Sequence, residues 1–399
     1  MIPAAAQPAP TAPAARLKVL HLITRLIVGG AQDNTLLTVE KRRCDRYCVH
    51  VAGNPNGEWA ARARQVADAF HPLPNLVNPI SPRSDSAALY DIVQLLRRER
   101  YDVVHTHSSK AGILGRVAAR LAGVPVVVHT MHGPTGLHDL MPRWKRGVFE
   151  LAERIAGRCT DHMIAVSESG RRHVVELGLV DAARTRTIYS GIDLDRLDGA
   201  WDPEPVRREL ELDAGAEVVV FVGRLDAAKA PGLLVAAFAE VARQRPRAVL
   251  VMVGDGDLAP ALRGQIAELR LGDRVRLLGT RHDVPAILRL ADVFALSSMY
   301  EGVGRALTEA MLLGVPVVAP RIYGIPEVVH HGETGLLYPR GDADALARAI
   351  GEVLADPATA RRLGDAGRRL TRRLFDGDAM VRAIEAVYEE LVAEERRRR

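Results

Sequence analysis

The sequence predicts an α/β protein made of two doubly wound, parallel-sheet domains in tandem, each Rossmann-like. Three observations carry that prediction. The chain has 399 residues, too many for one ordinary core and enough for two. Short apolar runs alternate with helical patterns along its length, the βαβ rhythm of a parallel sheet. The rhythm stops once, across "SGIDLDRLDGAWDPEP" (190–205), and then restarts. The apolar runs are nearly continuous rather than alternating, as expected of strands covered by helices on both faces.

The elements follow in order. Residues 1–16, "MIPAAAQPAPTAPAAR", are rich in Pro and Ala, with no charged start and no continuous apolar run. They read as a disordered tail rather than a leader peptide. The first domain is expected over 17–190, with strands at 18–23, 47–52, 101–107, 124–130 and 161–167 and helices at 86–100 and 111–123. Residues 191–205, dense in Gly, Asp and Pro, form the expected link. The second domain is expected over 206–377, with strands at 217–223, 247–254, 273–279, 292–298 and 315–320. Residues 378–399 read as a closing helix with Ile384, Val387, Tyr388 and Leu391 on one side and a frayed, basic end at Arg396 to Arg399.

Composition narrows the function classes. Hydrophobic residues at 48% and charged residues at 26% describe a globular chain. No run approaches the ~18 apolar residues of a membrane span, so any contact with a membrane is expected at its surface. The three cysteines, Cys44, Cys48 and Cys159, are odd in number and lack secreted-scaffold spacing, which fits reduced thiols in a cytoplasmic protein. The net charge of +5 is unevenly shared: residues 1–190 hold 25 Lys/Arg against 16 Asp/Glu, and the remainder 29 against 33. A basic first half fits an anionic partner, either a phosphorylated substrate or an anionic lipid surface. Nucleic acid is not expected, because no reader motif is present and only 4% of residues are aromatic.

The chemically interesting stretches fall at predicted strand ends, where ligands bind in such sheets. Gly29 and Gly30 follow the first strand and open a helix; they are not G-x-G-x-x-G, which argues against a nicotinamide cofactor. "HTHSSKAG" places His105, His107, Ser108, Ser109 and Lys110 at one strand end, and "HTMHG" places His129, His132 and Gly133 at the next. Four histidines can bind metal, but no carboxylate accompanies them at ligand spacing. A polar cluster facing substrate explains them as well, and no metal is expected. "FVGRLDAAKAP" sets Arg224 and Lys229 beside a helix start, fixed positive charge of the kind a diphosphate needs. In "YEGVGRALTEA", Gly302 and Gly304 keep Glu301 on a loop, and a helix from Arg305 to Leu313 carries Glu309 one turn in. A carboxylate accepts two hydrogen bonds at once and so suits the vicinal diol of a ribose or a sugar.

Taken together these stretches resemble the retaining glycosyltransferases of the GT-B fold, family 4 (group 1). The resemblance rests on the E-x7-E pattern Glu301–Glu309, "GVPVVAPRIYGIPEVVHHGETGLLYP" (314–339), "FVGRLDAAKAP", "MVGDGD" and "HTHSSKAGILGR", and runs from about Arg16 to Tyr388. It implies two domains facing a cleft, with the C-terminal helix returning to the first. It implies that Glu309 binds the ribose of a nucleotide-sugar donor, that Glu301 and the turn Gly302–Val303–Gly304 bind the transferring sugar, and that Arg224, Lys229 and the helix start at Arg305 hold the diphosphate. Gly29 and Gly30 would let the first domain close on the donor, and the backbone at Thr280 and Arg281 would read the base. His107, Ser108, Lys110 and His132 would face the acceptor, with His132, Glu301, Arg224 and Lys229 closest to the chemistry. The resemblance further implies a UDP-sugar donor, a glycan or polyprenyl-diphosphate-linked acceptor, no cofactor, and work at the inner face of a bacterial membrane. Val303 and Tyr323 depart from the residues common at their positions and are the places expected to tune sugar choice. A sugar-nucleotide 2-epimerase and an inactive nucleotide-sugar-binding subunit are the alternatives that share the fold.

Overall fold

The computed structural model describes residues 16–133 and 142–399. Residues 1–15, nearly all of the expected disordered tail, lie outside the described residues. The first sheet holds β1 (Leu17–Arg25), β2 (Tyr47–Asn54), β3 (Ala69–Pro72), β4 (Val103–His107), β5 (Val126–Met131), β6 (His162–Ala165) and β7 (Thr185–Thr187), in the order β3-β2-β1-β4-β5-β6-β7. The second holds β8 (Glu217–Val222), β9 (Ala248–Val253), β10 (Val275–Leu277), β11 (Val293–Ala295), β12 (Val317–Pro320) and β13 (Leu336–Tyr338), in the order β10-β9-β8-β11-β12-β13. All the pairings are parallel. In each sheet the order reverses beside its first strand, which opens a crevice at the carboxyl ends.

Every strand expected from sequence is present; β1 and β2 run longer than expected, and most of the others are shorter. The structure adds β3, β7 and β13, and all three are sheet edges of three or four residues. An edge strand is paired on one side only and needs no long apolar run, so it leaves little pattern. Along the central strands successive side chains enter opposite cores. Val219 and Phe221 pack on one face of the second sheet, and Val218 and Val220 on the other.

The chain crosses between domains twice at one place. Ile192 donates its amide to the Phe375 carbonyl at 2.8 Å and accepts from Gly377 at 3.1 Å. A side chain on Gly191 would lie 2.6 Å from Gly377 Cα, so the two crossings touch. The link carries one short helix, Leu194–Asp198, and a second, Glu204–Glu209, begins at its end. The C-terminal helix, Gly377–Arg398, returns to the first domain. Met380, Ile384, Val387 and Tyr388 enter the same core as Val19, Val49 and Val51, and Arg43 Nε donates to Glu385 at 2.5 Å. Among the described residues, no helix is long and apolar enough to cross a membrane.

Candidate active site

On the second domain, the loop after β11 holds Glu301. Its carboxylate pairs with the Lys229 ammonium from the loop after β8 and accepts from Ser298 Oγ at 3.0 Å. The two loops are stitched together: Ser297 Oγ donates to the Lys229 carbonyl at 2.8 Å, and the Met299 amide donates to Ala228 at 2.7 Å. Arg224 pairs with Asp226 at 2.9 Å and is otherwise exposed. Gly304 caps the helix Arg305–Leu312 at a φ of 92°, a conformation that needs glycine. Val303 turns inward and packs with Leu296, Leu307 and Ile322. Its apolar side chain serves the core; the sugar contact that the resemblance implies for this turn is a backbone one and does not depend on that side chain. Tyr323 lines the cavity beside Glu301 instead, and holds a φ of 40°, rare for a residue with a side chain. Arg281 donates to Glu209 and Asp283 through two edges of its guanidinium, and Thr280 is exposed on the loop after β10.

The domains meet across the cleft. Arg305 bonds Asp33, on the first domain's helix Gly30–Glu40, while its Nε donates to Glu309 at 2.9 Å and its Nη1 to the Gly191 carbonyl at 3.3 Å. Gly30 faces this contact: a side chain there would meet Arg305 Cβ at 3.5 Å. Gly29 precedes it as the cap of the same helix. Burial pushes the Glu309 carboxyl above its ordinary range, against the pull of Arg305. Burial pushes Asp33 the same way, but Arg305 and Arg62 outweigh it and hold Asp33 low. Further along, a side chain on Gly302 would meet the His132 carbonyl at 2.9 Å, so the sugar-side turn lies directly on the first domain. Glu327 reaches across to accept the amides of Glu168 and Ser169 at 2.9 and 2.7 Å and the Tyr189 hydroxyl at 2.8 Å.

On the first domain, strand alternation splits the four histidines. His105 and His107 point to one face of the sheet; Thr106 and His129 are register partners on the other, where His129 Nδ1 meets Thr106 Oγ1 at 2.9 Å. The expected single histidine cluster is therefore corrected to two groups. The first group gains His21, and a buried chain runs His132–His107–His21–Tyr388–His105–Thr130, its links 3.1, 2.9, 3.4, 2.5 and 2.7 Å. Ring nitrogens of His21, His105 and His107 lie within 4.8 Å of one another, as metal ligands do. Each of those nitrogens already has a hydrogen-bond partner in the chain, which accounts for the grouping without an ion. Burial holds His132 down to about 4 and His21 down to about 3, so both rings are neutral near pH 7.

Ser108 sits at the mouth of this group with φ 62° and ψ 164°, a region ordinarily left to glycine, and its Oγ lies 2.9 Å from Thr24 Oγ1. Ser108, His129, His132 and Glu153 line one cavity. Gly133, Ser167, His173, Glu301, Gly302 and Tyr323 line a neighbouring one. His107 is buried and meets His132 through its Nδ1 at 3.1 Å. Lys110 is drawn aside to Asp85 at 2.6 Å and to the Pro79 carbonyl.

Comparison with known proteins decides the family. Residues 202–370 match the family described as glycosyl transferases group 1, and 42–196 match glycosyltransferase family 4. The chain is 32% identical over 349 residues to an Escherichia coli UDP-Gal:alpha-D-GlcNAc-diphosphoundecaprenol alpha-1,3-galactosyltransferase, covering 86% of this chain and 89% of that one. The chain belongs to the group 1 glycosyltransferases. An alpha-maltose-1-phosphate synthase of Mycolicibacterium smegmatis is 34% identical over 375 residues, covering 86% and 90%. Among solved structures, Anabaena HepE in complex with UDP-glucose superposes with a TM-score of 0.81 at 26% identity, covering 94% of this chain and all of that one. The two facing sheets are the GT-B arrangement.

In this transferase the fold brings Glu301, Lys229, Gly302, Gly304, Arg305, Glu309, Gly30 and His132 to one cleft. Asp33, Glu327, His21 and His173 escaped the sequence reading. His173 lines the sugar-side cavity, and its buried Nε2 has no hydrogen-bond partner among the described residues.

Proposed function

We propose that this glycosyltransferase moves a sugar from a nucleotide-diphosphate donor, a UDP-sugar, to a glycan or polyprenyl-diphosphate-linked acceptor with retention of configuration. The observation that carries the proposal is the pairing of Lys229 with Glu301 at the mouth of the helix Arg305–Leu312, with Glu309 one turn inside. Glu301, then Lys229 with the helix start, then Glu309 match the order sugar, diphosphate, ribose of such a donor. The names of the Escherichia coli relative and of the Anabaena complex support a UDP donor, and the former supports a lipid-linked acceptor. By the same analogy the enzyme works in bacterial cell-surface polysaccharide synthesis, at the cytoplasmic face of the membrane.

Charge dictates the mechanism. Breaking the bond from sugar to phosphate leaves negative charge on the diphosphate. Arg224, Lys229 and the amides opening at Arg305 stabilise it in place, and no metal is required for that role. His132, neutral and against Gly302, lies beside the bond to be made. The first-domain carboxylate on these cavities, Glu153, is tied to the buried Arg116 at 2.6 Å, and the leaving diphosphate would take the acceptor's proton on the same face. Interdomain closure excludes water and limits hydrolysis.

A thermal-shift panel of nucleotide sugars tests the donor, since a ligand at 100 times its Kd adds about 2.7 kcal/mol. A UDP-sugar should stand out. A new epimer from donor alone would favour the epimerase instead, and unchanged turnover in Glu309→Gln would overturn the site.

A further inference from the structure

The helix Arg143–Arg158 of the first domain has two faces of different character. Glu153, Ala156 and Gly157 are buried, and Glu153 pairs with the fully buried Arg116 at 2.6 Å and lines the cavity that holds His132. On the opposite face Trp144, Val148, Leu151 and Ile155 are 70%, 58%, 62% and 49% exposed. Spacings of four, three and four residues align them in one stripe over three turns. Such a stripe of large apolar side chains in water calls for a partner.

Charge identifies the partner. Lys145 borders the stripe on one side, with its ammonium 5.4 Å from the Trp144 ring, and Arg143, Arg154 and Arg158 border it on the other. The helix carries five cations against two carboxylates, and Glu150 and Glu153 already answer Arg154 and Arg116. Pairing with a second copy would set two such cationic helices face to face. A tryptophan and aliphatic side chains rimmed by Lys and Arg suit the boundary between anionic headgroups and acyl chains.

We infer that this helix docks the enzyme on an anionic lipid bilayer, with Trp144, Val148, Leu151 and Ile155 entering the interface. The inner face of the same helix lines the His132 cavity, so a membrane-borne acceptor would meet the cleft a helix-width from the bilayer. The inference rests on the lipid-linked acceptor only for its purpose. Binding is measured with neither donor nor acceptor present, so its failure and that of the proposed transfer are separable.

The test uses the full chain with vesicles of mixed phosphatidylglycerol and phosphatidylcholine, and of phosphatidylcholine alone. The expected result is sedimentation with the anionic vesicles, weakened by salt, and a blue shift with quenching by brominated lipid that Trp144→Phe removes. Leu151→Glu/Ile155→Glu should weaken vesicle binding about tenfold or more at an unchanged melting temperature, while Leu269→Glu, on the second domain, should bind like wild type. Should the double variant melt early, Arg154→Glu/Arg158→Glu, which leaves the apolar stripe intact, replaces it with the same expected loss. Absence of binding at low salt, equal binding by the stripe and charge variants, or a stripe-dependent dimer without vesicles would each overturn the inference.

Discussion

Arg305, on the second domain, bonds Asp33 on the first while its Nε donates to Glu309 at 2.9 Å. One guanidinium thus closes the cleft and neutralises the buried carboxylate expected to grip the ribose. Arg305→Ala removes the cation that opposes burial, so the Glu309 carboxyl should rise further. A carboxyl raised by folding binds its proton more tightly in the native state. The fold therefore loses stability from this group as pH rises through the raised value, whereas donor binding needs the ionised form and weakens as pH falls through it. The variant should lose about 10- to 100-fold in kcat/KM for donor, the equivalent of a hydrogen bond to a charged group, and its acid limb should shift to higher pH. Initial rates against donor concentration across pH measure both. An unshifted limb would detach Glu309 from the donor.

Lys229 and Glu301 are expected to act on different parts of the donor although they contact each other. Lys229→Met should lower kcat by about 10²–10³ whatever sugar is supplied, because the leaving diphosphate is common to all donors. Glu301→Gln should instead change the ranking of donors that differ at the sugar. Single-turnover rates with two sugars on one nucleotide separate the two. An equal loss for both variants with both sugars would contradict the assignment.

Much of this site was legible because its carriers are local. Gly302, Gly304, Arg305 and Glu309 lie within one turn and one helix, and both Arg224 and Lys229 follow directly on a strand. The same holds for the central strands, whose burial on both faces writes a continuous apolar run. Groups joined only by folding were not legible. Asp33 and Arg305 are far apart in sequence, and Tyr388 reaches His105 from the far end of the chain. The direction of the Val303 side chain was not legible either: it lies on a loop beside Glu301, yet it fills the core. The histidines misled: consecutive strand residues look adjacent but project to opposite faces.

Glu327 holds the domains together from the other side of the cleft, accepting from the helix start at Glu168 and Ser169 and from Tyr189. A carboxylate at a helix N-terminus also faces the positive end of the helix dipole. Glu327→Ala leaves those amides without that acceptor and should cost about 1–3 kcal/mol. Because the bond spans two domains, the loss should also appear as a more open particle. Small-angle scattering should give a larger radius of gyration for the variant, and donor KM should rise. A variant of wild-type dimensions and KM would reduce Glu327 to a local cap.

The histidine chain sets the enzyme's behaviour in acid. Burial lowers His132 to about 4 and His21 to about 3, and holds His105 and His107 well below their ordinary 6.5. The sign follows: above 6.5 these rings are neutral folded or unfolded, and they leave stability independent of pH. Below 6.5 the unfolded chain takes up protons that the folded one refuses, so stability falls steadily toward pH 4, by up to about 1.4 kcal/mol per pH unit for each ring. Urea titrations at pH 7 and pH 5 should therefore differ by more than one group accounts for. Tyr388→Phe leaves His21 Nε2 and His105 Nδ1 without their shared partner and should cost about 1–3 kcal/mol at pH 7. The rate should show no limb from His132 near pH 6.5, since a ring held to about 4 stays neutral there. A limb near 6.5 that vanishes in His132→Gln would mean the ring is open to water and free to act as a charged acid.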